Sequence, residues 1–326
     1  MITQQWTAIH RKHHAKCETD DDPHSPQTLG IKKVFTEGAE LYKKEAKNQE
    51  TVDKFGHGTP DDWIERRLYA KHETIGIVAM LFIDLILFGP IGITIWAVQM
   101  IWIPLFAAGV INGVGHYIGY RNFNVNDAST NISPWGILIG GEELHNNHHA
   151  YASSAKLSSR WYEFDIGWLY IRIMEICGLA KVKRMAEKVK LSEARQSIDD
   201  KNLQAIITHR WDVLAQYSTS LKSTCLAEIK HIADTHRFTR PDISKWLSFD
   251  QKFVSSSDLD RIKQFAEKSK TLKTIVKMRD ELSDVWVKSS ESKEQLVERL
   301  EDWCKRAEAS GIIGLKEFSH RLRRYA

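Results

Sequence analysis

Cysteine is scarce in this sequence. Its 326 residues include four cysteines, which stand far apart with no CxxC pair: Cys17, Cys177, Cys225 and Cys304. Neither a zinc ribbon nor a disulfide framework is therefore encoded, and reduced thiols are expected. A strong charge bias is missing too, because the formal net charge is only +4. So small an excess does not indicate nucleic-acid binding, and beside apolar sequence it suits the cytoplasmic face of a membrane.

Several catalytic signatures are also absent. The sequence has no HExxH segment, which disfavours hydrolysis of the zinc-protease type. Soluble di-iron carboxylate proteins need two Glu-x-x-His segments, and among the histidine-rich segments only Glu142 to His145 has that spacing. No flavin or dinucleotide fingerprint and no fused haem domain occurs, so any redox chemistry would take its electrons from a partner.

Uninterrupted apolar sequence is concentrated in two adjacent stretches. Ile75–Phe88 is apolar apart from Asp84, a Gly-Pro pair follows, and Ile91–Ile118 is again largely apolar. Their lengths bracket the roughly 20 residues that cross a bilayer, so we predict a transmembrane helical hairpin over residues 74–118 in an all-α integral membrane protein. Basic residues flank both ends, which predicts that both termini are cytoplasmic. The alternative is a hairpin buried in a soluble core, since Asp84 is costly in lipid unless it faces protein.

The rest of the chain divides around this hairpin. We predict a polar cytosolic segment over residues 1–73, a cytosolic cap over 119–188 and a charged helical extension over 189–326. The extension has heptad-like spacing from Leu272 to Leu300 and breaks near Arg240-Pro241 and Ser255–Ser257. A solvated helical bundle is the favoured interpretation of this extension, and a docking surface is the alternative.

Two histidine segments dominate the chemistry, and both read HxxHH. On a helix, positions i, i+3 and i+4 share one face, so each segment can direct three imidazoles toward one point. The first contains His10, His13 and His14, and the second contains His145, His148 and His149. An even number of predicted spans separates them, so they lie on the same side of the membrane. One such segment could be surface histidines, but two with the same spacing predict metal binding.

A polar pair ends the second apolar stretch. Asn112 and His116 are four residues apart, and polar groups in apolar sequence are expensive unless they face a site. An interhelical hydrogen bond is the alternative, but beside the HxxHH segments His116 is better interpreted as a seventh ligand. Seven nitrogens exceed what one tetrahedral zinc needs and indicate two ions. Imidazole suits zinc, copper, iron and nickel alike, so the ligands do not name the metal.

Taken together, these segments resemble the membrane fatty acyl desaturases, most closely the bacterial delta-9 type. The resemblance covers about residues 3–188 and rests on short segments read directly from the sequence: Trp6–His14, Glu18-Thr19, Asp22–Ser25, Asn112–His116 and Gly141–His149. Glu142 to His149, for example, reads Glu-Glu-Leu-His-Asn-Asn-His-His. In the family's order, the segment at His10 is the second histidine box and the segment at His145 is the third.

The resemblance implies a role for each matching residue. The seven histidines would ligate two iron ions, and Asn112 would act through a water molecule. Glu18 and Asp22 would orient ligating imidazoles, with solvated loop acids as the alternative. Trp6 would line the acyl tunnel, with ordinary core packing as the alternative.

The resemblance also implies a reaction and its partners. The family uses dioxygen and two electrons from an external ferredoxin-like or cytochrome-type donor to place a double bond, delta-9 in this type, in a saturated acyl chain. The substrate would be an acyl-CoA or an acyl phospholipid, the location a bacterial inner membrane, and no nucleic acid would take part. A related histidine-box hydroxylase is an alternative that differs in product and not in ligands.

One family feature is missing from the sequence. Desaturases of this type begin with a transmembrane hairpin carrying an HxxxxH box, and no such box precedes His10. The start at Met1 also resembles the family's interior, which predicts an N-terminal truncation, a late start or a split gene. Two family ligands would then be lacking, so residues 1–326 alone are expected to insert in membranes, bind substoichiometric iron or none, and not desaturate. A catalytically inactive fragment or scaffold is the corresponding alternative.

Overall fold

The computed structural model describes residues 2–236, 243–248, 253–285 and 291–326. The chain is mostly helical, as predicted, and the sole sheet in the described ranges is a parallel pair of two-residue strands, β1 (Trp135–Gly136) and β2 (Phe164–Asp165). It divides into two compact units, residues 1–121 with 127–185 and residues 122–126 with 186–326.

The first unit contains eight α-helices and two π-helical segments. The α-helices are α1 (Thr3–Lys16), α2 (Pro26–Leu29), α3 (Ile31–Glu45), α4 (Gln49–Phe55), α5 (Ile75–Phe88), α6 (Ile91–Trp102), α7 (His145–Ala150) and α8 (Ile166–Ile176), and the π-helical segments are Glu65–Tyr69 and Ile103–Val114.

Helix α3 packs directly on the π-helical segment Ile103–Val114. Two glycines permit this approach: a Cβ at Gly38 would lie 2.6 Å from the Ala108 carbonyl oxygen, and a Cβ at Gly109 would lie 2.6 Å from the Phe35 carbonyl oxygen. Any larger residue at either position would push the two backbones apart. This close packing places α3 beside Asn112, one of the residues predicted to belong to the site.

The predicted hairpin is formed by α5 and α6, which turn at Gly89 and Pro90. Most of its apolar side chains are exposed, whereas Asp84 is buried against protein, as the sequence analysis required. Gly92 permits the tight return, because a Cβ there would lie 2.1 Å from the Asp84 carbonyl oxygen. The hairpin thus presents an apolar outer surface and keeps its one acid inside.

Only part of this hairpin has spanning length. Of the described helices, the continuous run Ile91–Val114 is the one long and apolar enough to cross a membrane. Helix α5 has 14 residues, or about 21 Å at 1.5 Å per residue, which is shorter than a hydrocarbon core of about 30 Å. The structure therefore offers one helix of spanning length where the sequence predicted two.

The second unit is a helical body with its own core. Its helices are α9 (Asp200–Thr208), α10 (Arg210–His236), α11 (Ile243–Ser248), α12 (Ser256–Lys268), α13 (Lys270–Asp284), α14 (Lys293–Ala309) and α15 (Ile313–Leu322). Tyr217, Trp303 and Phe318 are fully buried and pack edge to face, with centroids of Tyr217 and Phe318 5.2 Å apart. The buried indole of Trp303 donates to the Met278 carbonyl at 2.8 Å.

The predicted breaks in this unit have different outcomes. Ser255 caps α12 by accepting a hydrogen bond from the Asp258 amide, so a helix does begin at the serine run. The break predicted at Arg240-Pro241 lies outside the described residues, as does part of the heptad-like stretch after Val285. The predicted boundaries at residues 73, 118 and 188 stay predictions.

Topology can be tested with reporters at both termini of the full chain. If α5 enters the membrane with α6, reporters before Met1 and after Ala326 will both be cytoplasmic and one inserted at Gly89 will be external. A single span would place the two termini on opposite sides of the membrane, and that result would contradict the hairpin.

Candidate metal centre

The three histidines of the first HxxHH segment lie on α1, and those of the second lie on α7. Helix α7 has six residues, His145–Ala150, which is enough for one turn that directs its imidazoles inward. His116 follows the π-helical segment Ile103–Val114 in a turn whose Gly115 amide bonds to the Val110 carbonyl. All seven histidines predicted as ligands are brought together by these three parts of the chain.

The seven imidazoles form two groups of converging ligand atoms, each within 4.8 Å of one another. The four-histidine group is fully buried and comprises His13, His116, His145 and His149. The three-histidine group is half-buried and comprises His10, His14 and His148.

Distances within the groups match those between ligands of a shared ion. In the four-histidine group, the Nε2 of His116 lies 3.2 Å from that of His13 and 3.0 Å from that of His145. In the three-histidine group, the Nε2 of His14 lies 3.2 Å from that of His10 and 2.9 Å from that of His148, and those of His10 and His148 are 3.0 Å apart. Two nitrogens about 2.0–2.1 Å from one ion and at right angles lie about 3 Å apart.

Hydrogen bonds alone do not account for this packing. A neutral imidazole nitrogen either donates or accepts, so three mutually close Nε2 atoms cannot all be satisfied by one another. In the four-histidine group, the buried Nε2 of His149 has no hydrogen-bond partner in the described part of the chain. A cation within each group would satisfy these nitrogens, so the donor set fits a metal.

Carboxylates lie beside the Nδ1 atoms of the four-histidine group, on the side of each ring away from the converging Nε2 atoms. Each of its imidazoles has one carboxylate near Nδ1, and the Nδ1-to-oxygen distances are 2.9 Å for His13 and Asp22, 3.1 Å for His116 and Glu18, 3.0 Å for His149 and Asp127, and 3.5 Å for His145 and Glu142. When Nδ1–H donates to a carboxylate, the ring is fixed as the tautomer whose Nε2 is free to ligate.

The loop after α1 holds two of these carboxylates. Asp22 accepts hydrogen bonds from the backbone amides of Glu18 at 2.7 Å and His24 at 3.1 Å, and Glu18 accepts from the Ala128 amide at 2.9 Å and 3.0 Å. Glu18 has a φ of 61°, the one positive φ of a non-glycine residue in the ranges described. The backbone strain is concentrated where two carboxylates must meet two imidazoles.

Burial keeps five of the seven imidazoles uncharged. It lowers the pKa of His10, His116 and His145 to about 3 and also lowers the pKa of His14 and His149. At neutral pH these rings are in the neutral form that binds metals.

The nearby carboxylate of Glu142 stays ionised. Burial by itself would raise the pKa of Glu142, but the neighbouring His148 and His145 lower it to about 2. The site therefore combines neutral ligands with fixed negative charge, which suits a cation.

A mostly apolar cavity of about 190 Å³ opens onto the histidines. Its polar contributors include His10, His145, Asn112 and Glu142, and the ring of Trp6 lines it while stacking on His10 at 5.2 Å. The remaining wall includes Ala39, Tyr42, Lys43, Ile103, Pro104, Ala107, Ala108, Ile111 and Ile139. Trp6 thus lies at the cavity that its predicted role requires, and its assignment to an acyl tunnel stays a prediction.

Asn112 is buried at the same cavity. Its side-chain amide donates to the Tyr42 hydroxyl at 3.4 Å, and the Tyr42 ring stacks on that of His24 at 4.9 Å. Its predicted action through water stays a prediction.

Sequence reasoning missed two of the four carboxylates. Glu142 precedes His145 by three residues, so its spacing was a usable signal. Asp127 lies in a loop 22 residues before His149 and reaches that ring only through the tertiary fold, so no local pattern could have identified it.

Comparison with known families divides the chain in two. Residues 2–172, just over half of the chain, match the family model described as fatty acid desaturase. Residues 174–326 match a model described as transposase. The two matches meet within α8, whereas the compact units separate between residues 185 and 186.

Individual relatives agree with the first match. An sn-1 stearoyl-lipid 9-desaturase of Anabaena variabilis is 28% identical over 186 residues, covering 56% of this chain and 66% of the relative. Two Arabidopsis thaliana proteins, delta-9 desaturase-like 3 protein and delta-9 acyl-lipid desaturase 1, are 33% and 31% identical, covering 58% and 54% of this chain and 64% and 56% of their own lengths. The chain thus spans between about half and two thirds of these relatives. No solved structure matches.

The Asp127 carboxylate provides a test of the site. Asp127→Asn removes the charge that holds the His149 tautomer, so metal affinity should fall about 10- to 100-fold. Asp20→Asn, an exposed acid after α1, is the matched control and should bind metal like the parent. Equal affinities for both variants in a competition titration would show that Asp127 does not support the site.

Proposed function

Because the chain belongs to the fatty acid desaturase family, we propose that residues 2–172 carry the di-iron site of an enzyme that introduces a double bond into a saturated acyl chain. The observation that carries this proposal is the convergence of seven imidazoles in two groups beside an apolar cavity. The relatives' names support the delta-9 position and a lipid-linked chain as substrate, and a coenzyme A-linked chain is the alternative.

The ligands divide unequally between the two ions. His13, His116, His145 and His149 would hold one iron, and His10, His14 and His148 would hold the other, with Asn112 contributing through water. Four carboxylates surround the first group, and their negative charge balances two divalent ions. When bound, the iron pair supplies dioxygen activation for removal of hydrogen from an unactivated C–H bond.

The protein's own part in the reaction is positioning and exclusion of water. The Nδ1–H groups of His13, His116 and His149 donate to carboxylates, so these three imidazoles keep one orientation when a substrate binds or leaves. The cavity walls are apolar and admit an acyl chain with its methylene groups against Ile103 and Ile111, next to His10 and His145. Trp6 stacks on His10 and keeps that ring at the cavity edge. Dry walls of this kind protect a reactive site from side reactions.

The proposed function also includes an external electron donor and a location in a membrane. The chain has no flavin or dinucleotide fingerprint, which supports an external donor of the ferredoxin-like or cytochrome type. The exposed apolar surface of α5 and α6 supports insertion in a bilayer, and basic flanks support a cytoplasmic position for both termini in a bacterial inner membrane.

The three-histidine group supports a second proposal for residues 1–326 taken alone. Three imidazoles leave positions of a six-coordinate ion to water, so this group should bind iron more weakly than the four-histidine group. Without further ligands we expect fewer than two bound irons per chain and no desaturation. A hairpin carrying an HxxxxH box would supply the two further histidine ligands.

His148 provides the test of function, because its Nε2 lies within 3.0 Å of those of both His10 and His14. We expect the chain fused behind the HxxxxH hairpin of a delta-9 relative to form monounsaturated fatty acids in a host that lacks them. His148→Ala should lower product by roughly 100-fold or more, since a lost ligand disrupts the ion. His320→Ala, an exposed histidine of the second unit, is the control.

Fatty-acid profiling by gas chromatography gives the readout. Equal product from the His148 variant and the control would refute the ligand assignment. A hydroxylated acyl chain in place of a monounsaturated one would favour the hydroxylase alternative.

A further inference from the structure

Helix α8 turns an apolar face away from the first unit. None of its eleven residues is buried, and Ile176 is 79% exposed. At helical spacing its exposed apolar residues form one continuous face: Leu169, Tyr170, Ile173, Met174 and Ile176. Arg172 and Glu175 lie on the other side of the helix and form an ion pair. The helix is therefore amphipathic, with its apolar face outward.

The opposite side of α8 is fixed to the rest of the unit. A Cβ at Gly167 would lie 2.2 Å from the Gly140 carbonyl oxygen, so the two backbones are in close contact. The Asp165 side chain caps the helix by accepting a hydrogen bond from the Trp168 amide at 2.9 Å. These contacts set the orientation of α8, so its apolar face stays on the outside.

The outward face of α8 is connected to the apolar hairpin formed by α5 and α6. Trp102 ends α6, and its indole donates to the Leu138 carbonyl at 3.4 Å. Leu138 follows β1, which pairs with β2, and β2 leads directly into α8. Trp135 of β1 and Phe164 of β2 are register partners, and both side chains are exposed. Exposed apolar side chains thus continue from the end of the hairpin, through the strand pair, to α8.

The residue types on this part of the unit suit the interface between lipid and water. Trp and Tyr are enriched at that interface, because an apolar ring with a polar group fits both environments. The exposed examples here are Trp102, Trp135, Trp161, Tyr162 and Tyr170. Three exposed basic residues follow α8, namely Lys181, Lys183 and Arg184, and such side chains can reach lipid phosphates.

We propose that α8 lies in the interfacial region of the bilayer, with Leu169, Ile173 and Ile176 among the outer parts of the acyl chains. The inference rests on the membrane location proposed above for the hairpin. Eleven residues make a helix of about 16 Å, which is too short to cross a hydrocarbon core of about 30 Å. A short amphipathic helix of this kind lies along the membrane surface. It gives residues 119–188 a lipid contact of their own, in addition to that of the hairpin.

The test measures fluorescence quenching of a thiol-attached label on the full chain in vesicles of phosphatidylcholine and phosphatidylglycerol. Cys17 and Cys177 are first replaced by serine, whereas Cys225 and Cys304 are buried and protected from the label. Labels are then placed singly through Ile173→Cys on α8, Ile86→Cys on α5 and Glu50→Cys on α4. All three positions are exposed, so the substitutions should not disturb packing.

The label on α8 should behave like the label on the hairpin. Brominated phospholipids should quench the labels at Ile173 and Ile86 several-fold more than the label at Glu50. Iodide in the buffer should show the opposite order, because Glu50 is an exposed acid of a polar helix and is expected to face water.

Two results would overturn the placement of α8 and leave the hairpin location intact, provided that lipid quenches the label at Ile86. Strong iodide quenching at Ile173 would show that this face lies in water. Resistance of the Ile173 label to both quenchers would show that protein, such as a second copy of the chain, covers the face. No lipid quenching at Ile86 would instead refute the membrane location of the hairpin, and the placement of α8 with it.

Discussion

The first unit depends on neutral imidazoles that converge nitrogen to nitrogen in a buried space. Such rings cannot satisfy one another, because each nitrogen offers either a donor or an acceptor and several face the same point. In the four-histidine group, carboxylates accept hydrogen bonds from Nδ1–H on the outer side of the rings. The Nε2 atoms of these rings therefore face the interior. The interior then needs a cation, and the same fixed negative charge attracts one. The positive φ of Glu18 and the backbone amide that donates to Asp22 hold these two carboxylates beside the imidazoles.

The close packing of α3 on the π-helical segment Ile103–Val114 links this centre to its cavity. Gly38 and Gly109 allow the two backbones to touch, and the contact carries Tyr42 and Asn112 to the cavity wall. Larger residues at either glycine would separate these walls from the imidazoles. Widening this contact is therefore expected to disturb the cavity and the imidazoles together.

Much of the centre was predictable because it is local. The HxxHH spacing places three imidazoles on one helical face, and the structure directs both segments to common points, as it does His116. Glu18 and Asp22 were found through a resemblance to known sequences and lie within hydrogen-bond distance of His116 and His13. Asp127 was missed because a loop far from His149 in sequence delivers it.

Features beyond the centre were less predictable. Hydropathy gave two spans, but α5 ends after 14 residues, so only Ile91–Val114 has spanning length. The second unit was expected to be a charged helical body, and the described part is helical with an aromatic core around Trp303. Neither the net charge nor the spacing of apolar residues predicted its similarity to a transposase model, because helical periodicity reflects packing and does not identify a family.

We expect the four-histidine group to hold a metal ion with the residues of this chain and the three-histidine group to need further ligands. Metal analysis of purified residues 1–326 after iron loading, with His13→Ala and His148→Ala beside the parent, tests this expectation most directly. About one tightly held ion per chain is expected, since four buried imidazoles hold an ion more tightly than three, and His13→Ala should lose that ion while His148→Ala keeps it. Two tightly bound ions in the parent, or equal loss of iron in both variants, would show that the two histidine groups do not differ in this way.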